Sequence, residues 1–168
     1  PSVNVADVAR SQGIRTISEF FDEALAERIV GEYGHADAVL CANVMCHIPD
    51  LHSVAAGIRR LLKPDGVLMF EDPYLGDMIA KTSYDQIYDE HVFIFSAASV
   101  ASAFGRHGLE LIDVMPQVTH GGSMRYVMAP NGSHRISGSV ERQLASERAQ
   151  GLDQPGTYEQ FRLNCEAS

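Results

Sequence analysis

The densest chemistry in this 168-residue chain lies in one stretch, Ser83-Tyr84-Asp85-Gln86-Ile87-Tyr88-Asp89-Glu90-His91, which packs two tyrosines, three acids and a histidine together. If it is helical, Tyr84, Tyr88 and His91 share a face; if it is extended, Tyr88 and Glu90 share one and His91 opposes them. Neither pattern suits an apolar core element. An imidazole is well matched to proton abstraction near neutral pH, with a carboxylate to tune it and a phenol to donate. The alternative is a solvated, hydrogen-bonded loop. Two further groups stand where apolar runs end. Asn43 and His47 follow Ala36 to Ala42, although a single histidine after a strand is commonly a satisfied structural residue. Glu71, Asp72, Pro73 and Tyr74 follow Val67 to Phe70. The run His120-Gly121-Gly122-Ser123-Met124-Arg125 offers backbone N–H groups, a hydroxyl and a guanidinium, in outline a phosphate or carboxylate cradle, or else a glycine-made turn.

The elements that must position these groups read as follows. Val3 to Gln12 has helical spacing and meets a stop at Gly13; Ile14 to Ile17 reads as a short strand. Glu23 to Tyr33 is an amphipathic helix closed by Gly34. The continuous apolar run Ala36 to Ala42 predicts a strand buried on both faces of a parallel sheet. A helix from Leu51 to Leu62 ends in the turn Lys63-Pro64-Asp65-Gly66, and Val67 to Phe70 is a second buried strand. Strand, helix and strand form a right-handed βαβ unit of a doubly wound sheet, whose ligands lie beyond the carboxyl ends of the strands. Ser99 to His107 is a helix, Leu109 to Val114 and Met124 to Met128 are strands, and Val140 to Gln150 is a helix leaving the sheet. The fold class is therefore α/β, with a domain over residues 1–132 and the beginning of a second over 133–168.

The formal net charge of −9 argues against nucleic acid as a partner, since the one basic cluster, Arg59, Arg60 and Lys63, sits on a predicted helix. No apolar run approaches the roughly 20 residues needed to span a bilayer, so no membrane is expected and a cytoplasmic location is. Cys41, Cys46 and Cys165 form no CxxC pair and read as core thiols; no metal site is expected in this chain. No GxGxxG loop is present, so either the fold is different or the first strands lie upstream of Pro1. A start without Met and an end inside an amphipathic helix lead us to expect a longer native protein.

At these residues the chain resembles the S-adenosylmethionine-dependent C-methyltransferases of nucleotide-linked deoxysugars, such as the C-3 methyltransferases of antibiotic sugar pathways. The resemblance runs over nearly the whole chain. It rests on Pro1-Ser2 with Asn4 and Ala6, Gly13-Ile14, Phe20-Phe21, Asn43-Val44 with His47-Ile48 and Asp50, Leu61-Leu62 with Pro64 and Gly66, Asp72-Pro73-Tyr74, Tyr84 through His91, and His120 through Ser123 with Arg125. The leucine-proline-glycine turn is generic to many methyltransferases, whereas the last two blocks are specific. The resemblance implies a partial class I methyltransferase sheet of Rossmann-like form, its first strands missing, with the start of a C-terminal substrate domain. It implies zinc only in an upstream domain absent from this chain. It makes His91 the base, with Tyr88, Glu90 and His47 around the sugar, and puts Phe20, Phe21 and Asn43 in the cofactor pocket. Tyr74, His120, Ser123 and Arg125 become candidates for holding the nucleotide-sugar substrate of an enzyme expected to be a monomer. The implied reaction is enolate formation beside a ketone followed by methyl transfer. The rival readings are an O- or N-methyltransferase on the same sheet, a nicotinamide-dependent oxidoreductase with its glycine fingerprint upstream, and an inactive fragment lacking the cofactor loop.

Overall fold

A computed structural model describes residues 2–168; Pro1, one of the residues carrying the resemblance, lies outside them. Helix α1 spans Val3–Ser11 and α2 spans Glu23–Tyr33, the latter capped by the Asp22 carboxylate, which accepts from the Leu25 N–H at 2.7 Å. Strand β1 covers Ala36–Ala42, α3 covers Leu51–Leu61 and β2 covers Leu62–Pro73. Helix α4 is Leu75–Lys81 and α5 is Ala97–Gly105, opened by a reciprocal capping box between Ser96 and Ser99. Strands β3 (Leu109–Gln117) and β4 (Ser123–Pro130) follow, then helices α6 (Gly138–Ala149) and α7 (Pro155–Ala167).

The strands form one mixed sheet in the order β1-β2-β4-β3. The βαβ unit is present, with β1 and β2 parallel around α3, and it brings the Asn43 and Glu71 ends of the two strands together. Strand β4 runs antiparallel to both β2 and β3, inserting between them. Along β2, Leu68, Phe70 and Asp72 point to a fully buried face, while Val67, Met69 and Glu71 are half-buried on the other. The main core lies on the first face: Phe70 stacks on Phe104 (5.4 Å between centroids) and meets Tyr126 at 4.9 Å, with Ile58, Val54 and Val100 around them.

Three expectations are corrected. Ile14 to Ile17 takes no ladder and is irregular. Strand β1 is not buried on both faces: it is an edge of the sheet among the described residues, and Leu40 is 73% exposed. An all-apolar run cannot say which of its faces is covered, because successive side chains point opposite ways. The turn at 63–66 lies within β2 rather than before it, taken up as a register shift in which Ala36 pairs with Leu62 but Ala38 pairs with Val67.

Helix α3 is held close to the segment before α2. A Cβ added at Gly57 would stand 2.8 Å from the Asp22 carbonyl oxygen and 3.1 Å from the Phe21 ring. Gly57→Ala is therefore expected to lower stability by about 1–3 kcal/mol through overpacking, despite alanine's better helix propensity. A lower urea midpoint checks this; an unchanged or higher midpoint would show that the contact is slack.

Candidate functional site

The site grows from the carboxyl end of β1. Asn43 adopts φ 53°, a left-handed conformation that asparagine tolerates, and its N–H still donates to the Glu71 carbonyl at 2.8 Å. The chain then drops into a 3₁₀ turn, Met45–His47, whose first two side chains are buried, before Asp50 caps α3 through the Ser53 N–H at 3.0 Å. The chemistry-rich stretch docks onto this turn. The Cys46 carbonyl accepts from the Val92 and Phe93 N–H groups at 2.9 and 3.1 Å, which carries His91 to the side of His47. Their ring centroids are 5.0 Å apart, and Tyr88 lies 4.1 Å from His91.

Of the two conformations the sequence allows for 83–91, neither is adopted: Tyr84–Gln86 is a single 3₁₀ turn and the rest is irregular. Hydrogen bonds set the tautomer of both neutral rings. His91 Nδ1 lies 2.7 Å from the Gln86 carbonyl oxygen, and His47 Nδ1 lies 2.7 Å from that of Glu90. A carbonyl only accepts, so each Nδ1 carries the proton and each neutral ring keeps its basic lone pair on Nε2. His91 Nε2 accepts from the Tyr88 hydroxyl at 3.0 Å.

The structure thus brings together His91, Tyr88 and His47. Glu90 enters through its backbone carbonyl, which meets His47, while the Gln86 carbonyl holds the His91 ring. Two further members join them: Cys46, expected only as a core thiol, and Asp72, expected only at the end of a strand. Cys46 is fully buried, with its sulfur and a ring nitrogen of His47 and of His91 all within 4.8 Å of one another. Asp72 is fully buried, and neither carboxyl oxygen has a hydrogen-bond partner of proper geometry. Burial pushes its carboxyl upward, partly offset by the neighbouring Cys46 thiol and backbone, by His47 and by the Val44 N–H. Burial, with Asp72 adding to it, holds the Cys46 thiol well above the ordinary cysteine range.

Two of the four expected substrate contacts are buried. Tyr74 is 5% exposed and turned under α6, where its hydroxyl donates to Glu147 and accepts from Gln143 Nε2 at 2.6 Å. Ser123 is buried and its hydroxyl closes the turn by donating to the Thr119 carbonyl at 3.1 Å. Tyr74 enters the main core, whereas Ser123, on the same face of β4 as Arg125, is covered by the turn that precedes the strand. Arg125 pairs across the sheet with Glu71 at 2.7 Å, while His120 is exposed in a left-handed conformation. Gly122, at φ 142°, has no room for a side chain, since its Cβ would strike Asp77. The run 120–125 is chiefly a turn with one ion pair at its end. Among the expected cofactor residues, Asn43 is exposed at the strand end and Phe20 presents its ring to solvent at 82%. Phe21 turns inward against α3.

For Glu71, burial works to raise the carboxyl, but the hydrogen bonds from Arg125 and Thr119, the Arg125 charge and His120 outweigh it and the net shift is downward. A depressed folded value stabilises the fold above the unfolded value of ~4.3 and is lost as pH falls through the folded one. Glu71→Gln is expected to cost about 1 kcal/mol near neutrality, with the gap closing below about pH 4 in urea titrations. A gap independent of pH would show that the pair contributes through packing alone.

Residues 3–114 match the family described as a methyltransferase domain, and residues 118–168 match one described as a C-methyltransferase C-terminal domain. The C-methyltransferase NovU of Streptomyces niveus is 37% identical over 167 residues, 99% of this chain and 40% of NovU, so the chain spans about two fifths of that relative. Among solved structures, an S-adenosylmethionine-dependent methyltransferase from Clostridium acetobutylicum ATCC 824 superposes with a TM-score of 0.54 at 13% identity, covering 77% of this chain and 71% of that one. Another from Thermotoga maritima gives 0.52 at 15%, covering 75% and 69%. At those identities the likeness speaks to the fold, and it agrees with the Rossmann-like α/β class expected from the sequence. No helix among the described residues is long and apolar enough to cross a membrane. With the sheet, its carboxyl-edge cluster and the match over most of its length in accord, the chain belongs to the methyltransferase-domain family.

Proposed function

We propose that this chain forms the chemical centre of an S-adenosylmethionine-dependent C-methyltransferase that acts on a nucleotide-linked keto-deoxysugar, with residues 1–132 in the methyltransferase core and 133–168 opening a C-terminal substrate domain. The observation that carries the reading is the His91 imidazole: its Nδ1 proton is committed to the Gln86 carbonyl, and its Nε2 lone pair is directed at a phenol. A carbon nucleophile needs such a base, because a C–H beside a ketone must be ionised before it can attack. An oxygen or nitrogen acceptor needs it far less. The matches to C-methyltransferases favour carbon over those alternatives.

S-adenosylmethionine, when bound, supplies an electrophilic methyl group on a sulfonium. Phe20 and Asn43 would hold its nucleoside part at the end of β1. The substrate displaces the Tyr88 hydroxyl from His91 Nε2, and Nε2 then takes the proton from the carbon next to the ketone. The freed Tyr88 hydroxyl is the donor available to the enolate oxygen, with His47 beside it, a preorganised stabilisation of the kind that dominates many enzymes. The exposed His120 and the Arg125 guanidinium are the candidates for the diphosphate. Deprotonation can be read separately from methyl transfer. With S-adenosylhomocysteine bound in the intact enzyme and deuterium oxide as solvent, the substrate carbon is expected to take up deuterium, and His91→Asn to stop it. Undiminished exchange in the variant would dismiss His91 as the base.

A further inference from the structure

We propose that Cys46, His47 and His91 form a binding site for a soft divalent cation of the zinc type, and that its occupation silences the base. The zinc that the family resemblance places in an upstream domain is a separate matter. Three observations support the site independently. The Cys46 sulfur and a ring nitrogen from each histidine lie within 4.8 Å of one another. Bond lengths of ~2.0–2.3 Å set tetrahedral ligand separations at about 3.3–3.6 Å, so the side chains must draw together from the spacing seen here to hold the ion. Each imidazole already donates its Nδ1 proton to a backbone carbonyl, from Gln86 or Glu90, the outer support that metal-bound histidines characteristically have. This leaves Nε2 of both rings as the nitrogen with a lone pair to give. Finally, Asp72 is a fully buried carboxyl beside Cys46, and neither of its oxygens makes a hydrogen bond of proper geometry. A cation next to it would add to the partial compensation that Cys46, His47 and the Val44 N–H already give.

One thiolate and two imidazoles select zinc, cobalt or copper over magnesium and calcium, and leave one position open for water. On binding, the Cys46 S–H bond breaks, a sulfur–metal bond forms and one proton leaves to the solvent; no electrons are transferred. Coordination at His91 Nε2 takes the lone pair that accepts the substrate proton, so metal and deprotonation exclude each other. That inhibition rests on His91 being the base, whereas the site itself does not.

The test uses cobalt(II) as the probe, in the native protein and in Cys46→Ala and Cys46→Ser, with spectra taken as differences so that metal bound elsewhere cancels. The native protein is expected to show a near-ultraviolet thiolate-to-cobalt band and to release one proton per ion in calorimetry across buffers of different ionisation enthalpy. Either variant should lose the band and bind this ion at least about a hundredfold more weakly, since even outer supporting residues are worth 10–100-fold. Folding of the variants is checked by their far-ultraviolet spectra and urea midpoints. A native protein without the band, or a band undiminished in both folded variants, would overturn the site. A band lost in the variants while saturating metal leaves deuterium uptake untouched would uphold the site and remove His91 as the base.

Discussion

Replacing His91 with asparagine in the intact enzyme is expected to lower kcat by about 10²–10⁴-fold, the usual worth of a positioned general base, with little change in KM. Asparagine keeps a donor for the Gln86 carbonyl and a similar shape but has no basic lone pair to take a proton. The surrounding hydrogen bonds make this a clean experiment, because the segment is also tethered through the Val92 and Phe93 N–H groups to the Cys46 carbonyl. The loop should stay in place when the ring is exchanged. Tyr88→Phe removes a donor but no base, so its loss should be the smaller of the two. If the order is reversed, with the phenol mattering more than the imidazole, proton abstraction by Tyr88 becomes the better description. If His91→Asn retains native kcat, the acceptor atom was nucleophilic from the start, as in transfer to oxygen or nitrogen.

The second large effect concerns stability. Glu147 on α6 is 3% exposed, and its carboxylate accepts from the Ala97 N–H at 2.7 Å, the Ala98 N–H at 2.9 Å and the Tyr74 hydroxyl at 3.1 Å. It thereby caps α5 from another helix, at the end where the macrodipole favours a negative charge. Burial, with Glu147 next in weight, holds the Tyr74 phenol above its ordinary value, so the phenol stays a donor throughout the neutral range. Glu147→Ala leaves two helix N–H groups and a phenol without their partner, and a loss of about 3–5 kcal/mol is expected. That is a large share of the ~5–15 kcal/mol that holds most domains together. Glu147→Gln keeps one carbonyl acceptor and should lie between. Urea unfolding with an unchanged slope and a lowered midpoint is the expected form of the result. A midpoint within experimental scatter of the native protein would mean that water replaces the carboxylate at the α5 terminus.

Much of the scaffold could be read without coordinates. The bounds of α2, β1 and α3 follow closely from apolar spacing and, for α2, from the stop at Gly34, because helix periodicity is a local property of a few neighbouring residues. The insertion of β4 between β2 and β3 was not readable, since strand pairing depends on partners far apart in the chain. The same is true of which face is covered: Leu40 belongs to a run that is apolar from Ala38 to Ala42 yet stands in solvent.

The site divides along the same line. By itself, the sequence of this protein determined its α/β class, the histidine and tyrosine that meet at 88 and 91, and the position of His47 at a strand's carboxyl end. All of these are side-chain identities at short spacing. Only the tertiary structure decided that Tyr74 and Ser123 are buried, that Cys46 and an unpartnered Asp72 join the cluster, and that backbone carbonyls of Gln86 and Glu90 set which nitrogen of each imidazole is basic. A carbonyl is present at every residue and carries no mark in the sequence, so its role exists only once the chain has folded around it.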